Sequence, residues 1–164
     1  MEAVNVAADD KIQPSMVVCD FEAGFEEVVK VQFPEDDVIG CYFHFKQACR
    51  RKLKALGVPD REVTIAMSKG YLEMLTVIPH DKIEGPGTNY IQEKIKEACE
   101  DNRISYSDVL WGRFWQYFGN TWLKTYNPSV WNVFELDAGV VSRTNIPIER
   151  FNREINAALT APHL

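Results

Sequence analysis

The chain has 164 residues, of which 46% are hydrophobic and 12% aromatic, so it is long and apolar enough to bury the core of one ordinary domain. Its formal net charge of −6 excludes a global basic field, so any contact with nucleic acid must be local. The cysteines form no CxxC pair, which argues against a disulfide-stapled secreted domain and predicts reduced thiols.

The N-terminal segment and the apolar runs predict an intracellular protein. Residues 1–13 include Asp9 and Asp10 and fit neither a secretory signal nor a transit peptide, so we expect a disordered leader. No apolar run approaches the roughly 20 residues that span a bilayer, so no membrane contact is expected.

Two strand–helix units open the chain. The run "MVVC", Met16–Cys19, predicts a strand covered on both faces, and apolar residues at helical spacing follow it. A second run, Val38–Phe43, predicts a second strand, followed by a helix that ends at Gly57. The order strand, helix, strand, helix predicts a helix-rich α/β fold in which the two strands are parallel neighbours.

Residues 60–135 carry helical patterns with little strand character. We predict three helices, over residues 60–78, 88–101 and 107–126. A loop is expected at 84–87, before the second of these helices. A short helix with Ser129 as its cap is expected after the third helix. A last helix is expected over residues 143–162, with Pro147 in its first turn.

Six aromatic residues lie in the third of these helices, namely Trp111, Phe114, Trp115, Tyr117, Phe118 and Trp122. Such side chains can form a stacking platform for nucleobases. Their helical spacing favours a packed core instead.

Asp20 directly follows the first strand, and Glu149 lies in the first turn of the last predicted helix. If folding brought them together, two carboxylates would supply hard oxygen ligands for the Mg²⁺ ions of phosphoryl transfer. The structural alternative is that Asp20 caps the following helix and Glu149 complements the dipole of its own helix.

Cys41 and His44 form a CxxH pair where the second strand meets its helix. Zinc needs four ligands, and His80 and His163 stand at no finger-like spacing from this pair, so a closed zinc site is not expected. We expect Cys41 to be a small buried residue and His44 to make a hydrogen bond near the helix N-terminus.

The same helix is distinctly basic, with Lys46, Arg50, Arg51, Lys52 and Lys54. These side chains are candidate DNA-binding residues, because each phosphate contact adds salt-sensitive affinity. Alternatively they form a solvated face that balances nearby glutamates.

Three segments together resemble the catalytic domain of Mutator-like element (MULE) transposases. They contain D-F-E after a strand, C-x-x-H-F, tryptophan-rich helices, and R-T-N followed by E-R-F-N. The similarity covers residues 14–158 in the family's order. Ile146 departs from it, since the family often has a second Asn there.

The resemblance implies an RNase H-like fold, in which residues 14–58 form the strand and helix core, 59–140 an all-helical insertion, and 141–160 the C-terminal catalytic-type helix. It implies a metal-dependent acidic triad that cuts and joins DNA with Mg²⁺ or Mn²⁺, with Asp20 as the second acid and Glu149 as the third. It also implies DNA transposon ends as partners, a homo-oligomer, and a nuclear location.

The first acid of the family lies on an opening strand well ahead of the second acid, and only 19 residues precede Asp20. We therefore expect a truncated transposase fragment with a partial sheet and an incomplete catalytic site. The alternatives are a remnant that binds DNA or protein without catalysis, and a helical interaction domain whose carboxylates are structural.

Overall fold

The computed structural model describes residues 16–21, 28, 31, 32, 34 and 37–134. Within these ranges the protein is rich in helices and has a small parallel sheet of two strands, as predicted for a helix-rich α/β fold. None of the described helices has the length and apolar character needed to cross a membrane.

The sheet consists of β1, Met16–Cys19, and β2, Asp37–Gly40, in parallel register from Met16 opposite Asp37 to Cys19 opposite Gly40. The first strand and the parallel pairing are confirmed. The second strand is shorter than the predicted Val38–Phe43, because the chain turns into a helix at Cys41. The N–H of Cys41 still donates to the carbonyl of Cys19 at 2.7 Å, but its own carbonyl already accepts a helical bond.

Helix α1, Tyr42–Ala55, packs against α2, Asp60–Met67. Three residues at helical spacing on α1 are buried, namely Phe45, Cys49 and Leu53. Gly57 has a φ of 82°, so the helix ends in the left-handed conformation that the sequence predicted.

The helix predicted over residues 60–78 is wrong in its second half. Helix α2 stops at Met67, Gly70 adopts a φ of 91°, and a short 3₁₀ turn covers Leu72–Thr76. A left-handed residue cannot continue a right-handed helix, and Gly70 is the residue type that takes this conformation without strain. A second 3₁₀ turn covers His80–Lys82.

Helices α3, Thr88–Asp101, and α4, Asp108–Phe118, confirm the next two predictions. The last part of the third predicted helix is a wider helical turn, Gly119–Thr125. The predicted loop at 84–87 is also present, with Gly85 at a φ of 81°.

Helix α5, Pro128–Trp131, has a different cap from the one that the sequence suggested. The side chain of Asn127 accepts a hydrogen bond from the N–H of Ser129 at 3.0 Å, so Asn127 is the cap and Ser129 the donor. The prediction of Ser129 as the cap is wrong because Asn is as good a cap as Ser, and it stands directly before a proline that fits the first helical position.

One aromatic core joins α1 to the C-terminal described helices. The ring of Phe45 stacks on Trp131 at 5.2 Å and meets the edge of Trp122 at 4.7 Å. The predicted core role is confirmed for four members of the aromatic series, Trp111, Phe114, Phe118 and Trp122, which are fully buried. Residues on both sides of the predicted boundary at 58/59 contribute to this single core.

Glu62 is a carboxylate inside that core. It is 0% exposed and accepts three hydrogen bonds, from the N–H and Oγ of Ser107 at 3.0 and 2.7 Å and from Nε1 of Trp111 at 2.7 Å. Ser107 directly precedes α4, so Glu62 links α2 to the start of α4.

Burial, followed by the nearby Glu62 charge, raises the pKa of the Cys99 thiol to about 11.

All four cysteines lie within the described part of the chain, where they are buried and form no disulfide. That their thiols are reduced stays a prediction. Burial raises the pKa of Cys49 far above its ordinary range, so this thiol stays protonated at neutral pH.

Candidate functional site

Asp20 lies at the carboxyl end of β1, where its side chain meets helix α1. Its Oδ1 is 2.9 Å from Nδ1 of His44, and the two side chains are 46% and 26% exposed. The contact joins the end of a strand to the first turn of a helix. Both side chains keep part of their surface exposed, although the Nδ1 atom of His44 is itself buried. The sequence predicted a hydrogen bond for His44 near the helix N-terminus, and the structure gives its Nδ1 this ion-pair contact with Asp20.

The next residue, Phe21, anchors this strand end on the aromatic core. Its carbonyl accepts a hydrogen bond from the hydroxyl of Tyr126 at 3.0 Å, and its ring meets the edge of Trp122 at 4.8 Å. On the other side the ring lies so close to Gly40 that a Cβ there would overlap with it. These contacts fix the backbone on which Asp20 is carried.

Asp20 and His44 line an open cleft of about 420 Å³, which we call the Asp20 cleft. Gln47 and Arg51 line it from α1, at the spacing of one helix face with His44. On the opposite side it is bounded by polar and aromatic residues of the later helices, namely Tyr117, Thr121 and Tyr126. The cleft is therefore mostly polar and holds one described carboxylate, one guanidinium and one imidazole.

Tyr117 is a half-buried polar group in this wall. Burial raises the pKa of its hydroxyl. The hydroxyl is consequently neutral at physiological pH and can only donate or accept hydrogen bonds there.

The CxxH pair splits between two environments. Cys41 is 0% exposed beneath the start of α1, as predicted, whereas His44 faces the Asp20 cleft. Among residues 16–21 and 37–134, no three His, Cys, Asp or Glu side chains come together in a way that could hold a metal ion.

The five basic residues of α1 do not share one surface. Lys46 lies 3.3 Å from Glu73, Lys54 lies 3.3 Å from Asp60, and the Nζ of Lys52 sits 4.8 Å from the centre of the Tyr117 ring. The remaining two are exposed and diverge, since Arg51 lines the Asp20 cleft and Arg50 lines a separate pocket.

Glu149, the predicted partner of Asp20, lies outside the described residues. The same holds for His163 and for the segment 141–160 predicted as the catalytic-type helix. The pairing of Asp20 with Glu149 therefore stays a prediction.

Comparison with known proteins gives no relative. No protein-family model matches the chain, and neither a curated protein nor a solved structure is significantly similar to it. The MULE resemblance consequently rests on the motifs quoted above.

Sequence reasoning missed the polar wall that faces Asp20. Tyr117 was assigned to an aromatic core series, and Gln47, Thr121 and Tyr126 carry no motif of their own. The spacing of His44, Gln47 and Arg51 was the one available signal for the α1 side. The opposite side depends on how the turn Gly119–Thr125 packs, which no local pattern encodes.

Proposed function

We propose that this chain is a DNA-binding domain of the MULE transposase type, in which the Asp20 cleft receives a backbone phosphodiester. The observation that carries the proposal is the 2.9 Å contact between Asp20 and His44. These residues belong to the D-F-E and C-x-x-H motifs, which are separate in the sequence, and they share one solvent-open cleft. Two independent motifs of the resemblance therefore contribute to a single site.

Arg51 is the group in this cleft suited to a phosphate. A guanidinium can give two parallel hydrogen bonds to phosphate oxygens, and Arg51 is exposed, so a phosphate can reach its donors. The carboxylate of Asp20 would repel the same phosphate, but one of its oxygens is already held by His44 at 2.9 Å. Gln47 and Thr121 add uncharged donors that serve phosphate or sugar oxygens without regard to sequence.

The Mg²⁺ or Mn²⁺ implied by the resemblance does not fit the described cleft alone. Asp20 is its only described carboxylate, and a metal pair for strand transfer needs several hard oxygen ligands. The proposed metal site of Asp20 with Glu149 thus depends on a residue outside the described ranges. We propose phosphate binding by Arg51 without assigning any step to a metal.

The test is a fluorescence-anisotropy titration of the whole chain with a labelled DNA oligonucleotide over a series of salt concentrations. Arg51→Gln should weaken binding at low salt and reduce the slope of log K against log salt by about 1, because one phosphate contact is lost. Arg113→Gln is the matched control, since Arg113 is an exposed helix arginine that does not line the Asp20 cleft. Absence of DNA binding at low salt, or equal effects of the two variants, would contradict the proposal.

A second assay addresses strand cleavage. Supercoiled DNA incubated with the chain and Mg²⁺ or Mn²⁺ is expected to remain uncut, because a single carboxylate supplies little of the charge stabilisation that the reaction needs. Cleavage that disappears in both Asp20→Asn and Glu149→Gln would instead establish the complete two-acid site.

A further inference from the structure

A second pocket lies on the adjacent face of α1, next to the Asp20 cleft. It has a volume of about 470 Å³ and its surface is mainly apolar. We call it the Phe43 pocket, and its lining consists of Tyr42, Phe43, Lys46, Gln47, Arg50 and Met67. Gln47 lines both sites, so they are neighbours separated by a single side chain.

The aromatic side chains connect the two sites. The ring of Phe43 meets the ring of His44 edge to face, with centroids 5.5 Å apart and an angle of 76° between the planes. Phe43 is only partly buried, and the N-terminal turn of α1 carries it beside the residue that contacts Asp20. A ligand that reached from one site to the other would pass over this pair of rings and Gln47.

Two basic side chains line the Phe43 pocket, and they differ in how far they are already paired with an acidic residue. Lys46 is engaged by Glu73 at 3.3 Å, and the hydroxyl of Tyr42 donates to the same carboxylate at 2.5 Å. Arg50 is exposed at the rim. The pocket therefore offers an apolar, aromatic interior with a cation at its edge.

We propose that the Phe43 pocket accepts an unstacked base of single-stranded DNA while the Asp20 cleft holds a neighbouring phosphate. This inference rests on the proposed function and adds a preference for single strands. Every base has a π face that can stack on an aromatic ring, and every base is followed by a phosphate that an arginine can contact. A single strand thus alternates bases with phosphates. The apolar Phe43 pocket suits a base, the neighbouring Asp20 cleft suits the next phosphate, and Arg50 adds a cation beside the pocket. Gln47 provides a polar contact between the two sites.

The decisive comparison uses the unaltered protein. A 12-nucleotide single strand should bind more tightly than the blunt duplex of the same sequence, whose bases are stacked and paired. Replacing the bases of the single strand by abasic sites should weaken binding about 10-fold without changing its salt slope, because stacking is lost while phosphates remain. Equal affinity for normal and abasic strands would overturn the base pocket and leave the proposed phosphate cleft standing.

Substitutions of Phe43 test whether its ring is responsible for the preference for single strands. Phe43→Leu keeps an apolar side chain but removes the aromatic face, and it should weaken single-strand binding about 10-fold while duplex binding stays unchanged. Phe43→Tyr should retain the wild-type affinity. Tyr90→Leu is the control, since Tyr90 is an exposed aromatic residue on α3 that lines neither site.

The remaining outcomes separate the two proposals. No binding of either DNA form at low salt would overturn the DNA function itself. If a Phe-containing polyglutamate peptide bound in a Phe43-dependent manner while single-stranded DNA did not, the pocket would be a peptide site and the base proposal would be wrong. Loss of single-strand and duplex binding to the same extent in Phe43→Leu would also overturn it, because a general disturbance of α1 would then explain the result.

Discussion

Glu62 and Asp20 are two carboxylates with opposite settings in one small protein. Glu62 is 0% exposed and accepts three hydrogen bonds from Ser107 and Trp111. Asp20 has a side chain that is 46% exposed, and its described contact is with His44 at the edge of an open cleft. The carboxylate oxygens of Glu62 accept hydrogen bonds within the core, whereas the side chain of Asp20 keeps much of its surface in water.

The difference shows which acidic residues to regard as structural. A buried carboxylate is tolerated only when donors surround it, and removing it then leaves those donors without partners. A half-exposed carboxylate contributes little to stability, so its placement on a rigidly anchored strand end points to a role with a ligand. Four substitutions test that contrast, in order of decreasing effect on the free energy of unfolding.

Glu62→Ala should lower the free energy of unfolding by about 3 to 5 kcal/mol, because the buried Trp111 N–H and the two part-buried donors of Ser107 lose their acceptor. Urea denaturation followed by circular dichroism measures the change. Glu97→Ala on the exposed face of α3 is the control and should stay within about 0.5 kcal/mol of the wild type. A loss below about 1 kcal/mol for Glu62→Ala would contradict the structural role.

Gly40→Ala should lower the free energy of unfolding by about 1 to 3 kcal/mol, because the new Cβ would overlap with the Phe21 ring and force it off Trp122. DNA affinity should fall with it, since Phe21 anchors the strand end that carries Asp20. Gly112→Ala in α4 is the matched control. Its Cβ would enter open space, so it should gain about 1 kcal/mol from helix propensity. Equal stability of the two variants would show that the close approach at Gly40 is not required.

Glu73→Gln should cost about 1 kcal/mol at neutral pH and reduce the acid sensitivity of the fold. Burial alone would raise the pKa of Glu73, but hydrogen bonds from Tyr42, the Gly70 N–H and Lys46 outweigh it and hold the pKa below its ordinary value of 4.5. A lowered pKa in the folded state means that the stabilisation is present above pH 4.5 and is lost as the pH falls further. Unfolding curves between pH 6 and 3 should therefore converge for the variant and the wild type. Parallel curves would exclude Glu73 as a source of the acid dependence.

Asp20→Ala should change the free energy of unfolding by less than about 1 kcal/mol, because its pair with His44 is half-exposed and water competes for it. The same urea assay applies, with His44→Ala as the partner variant in a double-mutant cycle. A loss as large as that of Glu62→Ala would make Asp20 a structural residue and remove the contrast.

Local patterns predicted those parts of the fold that depend on neighbouring residues in the sequence. Three such features follow from the spacing of apolar residues, namely the strand Met16–Cys19, the helix Thr88–Asp101 and the buried aromatic series. The break at Gly70 was not predicted, because apolar spacing continues on both sides of it and a lone glycine is compatible with a helix.

For the candidate site, local patterns identified individual residues but not the contact between them. Asp20 and His44 were each singled out, but Asp20 was matched with Glu149 and His44 with Cys41. Their mutual contact depends on the rotation of α1 against the end of β1, which is a tertiary property. The positions of Tyr117 and Tyr126 at the cleft are likewise a tertiary property, because they depend on how the aromatic core packs.

A ¹H–¹⁵N NMR titration of the assigned protein with a short DNA strand locates the binding site directly. If DNA binds in the Asp20 cleft, the largest chemical-shift changes will fall on residues of that cleft, such as His44 and Arg51, while the amides around Glu62 and Ser107 stay unchanged. Shifts that cluster away from the cleft, or that are absent at saturating DNA and low salt, would contradict the claim that the open carboxylate marks the binding site.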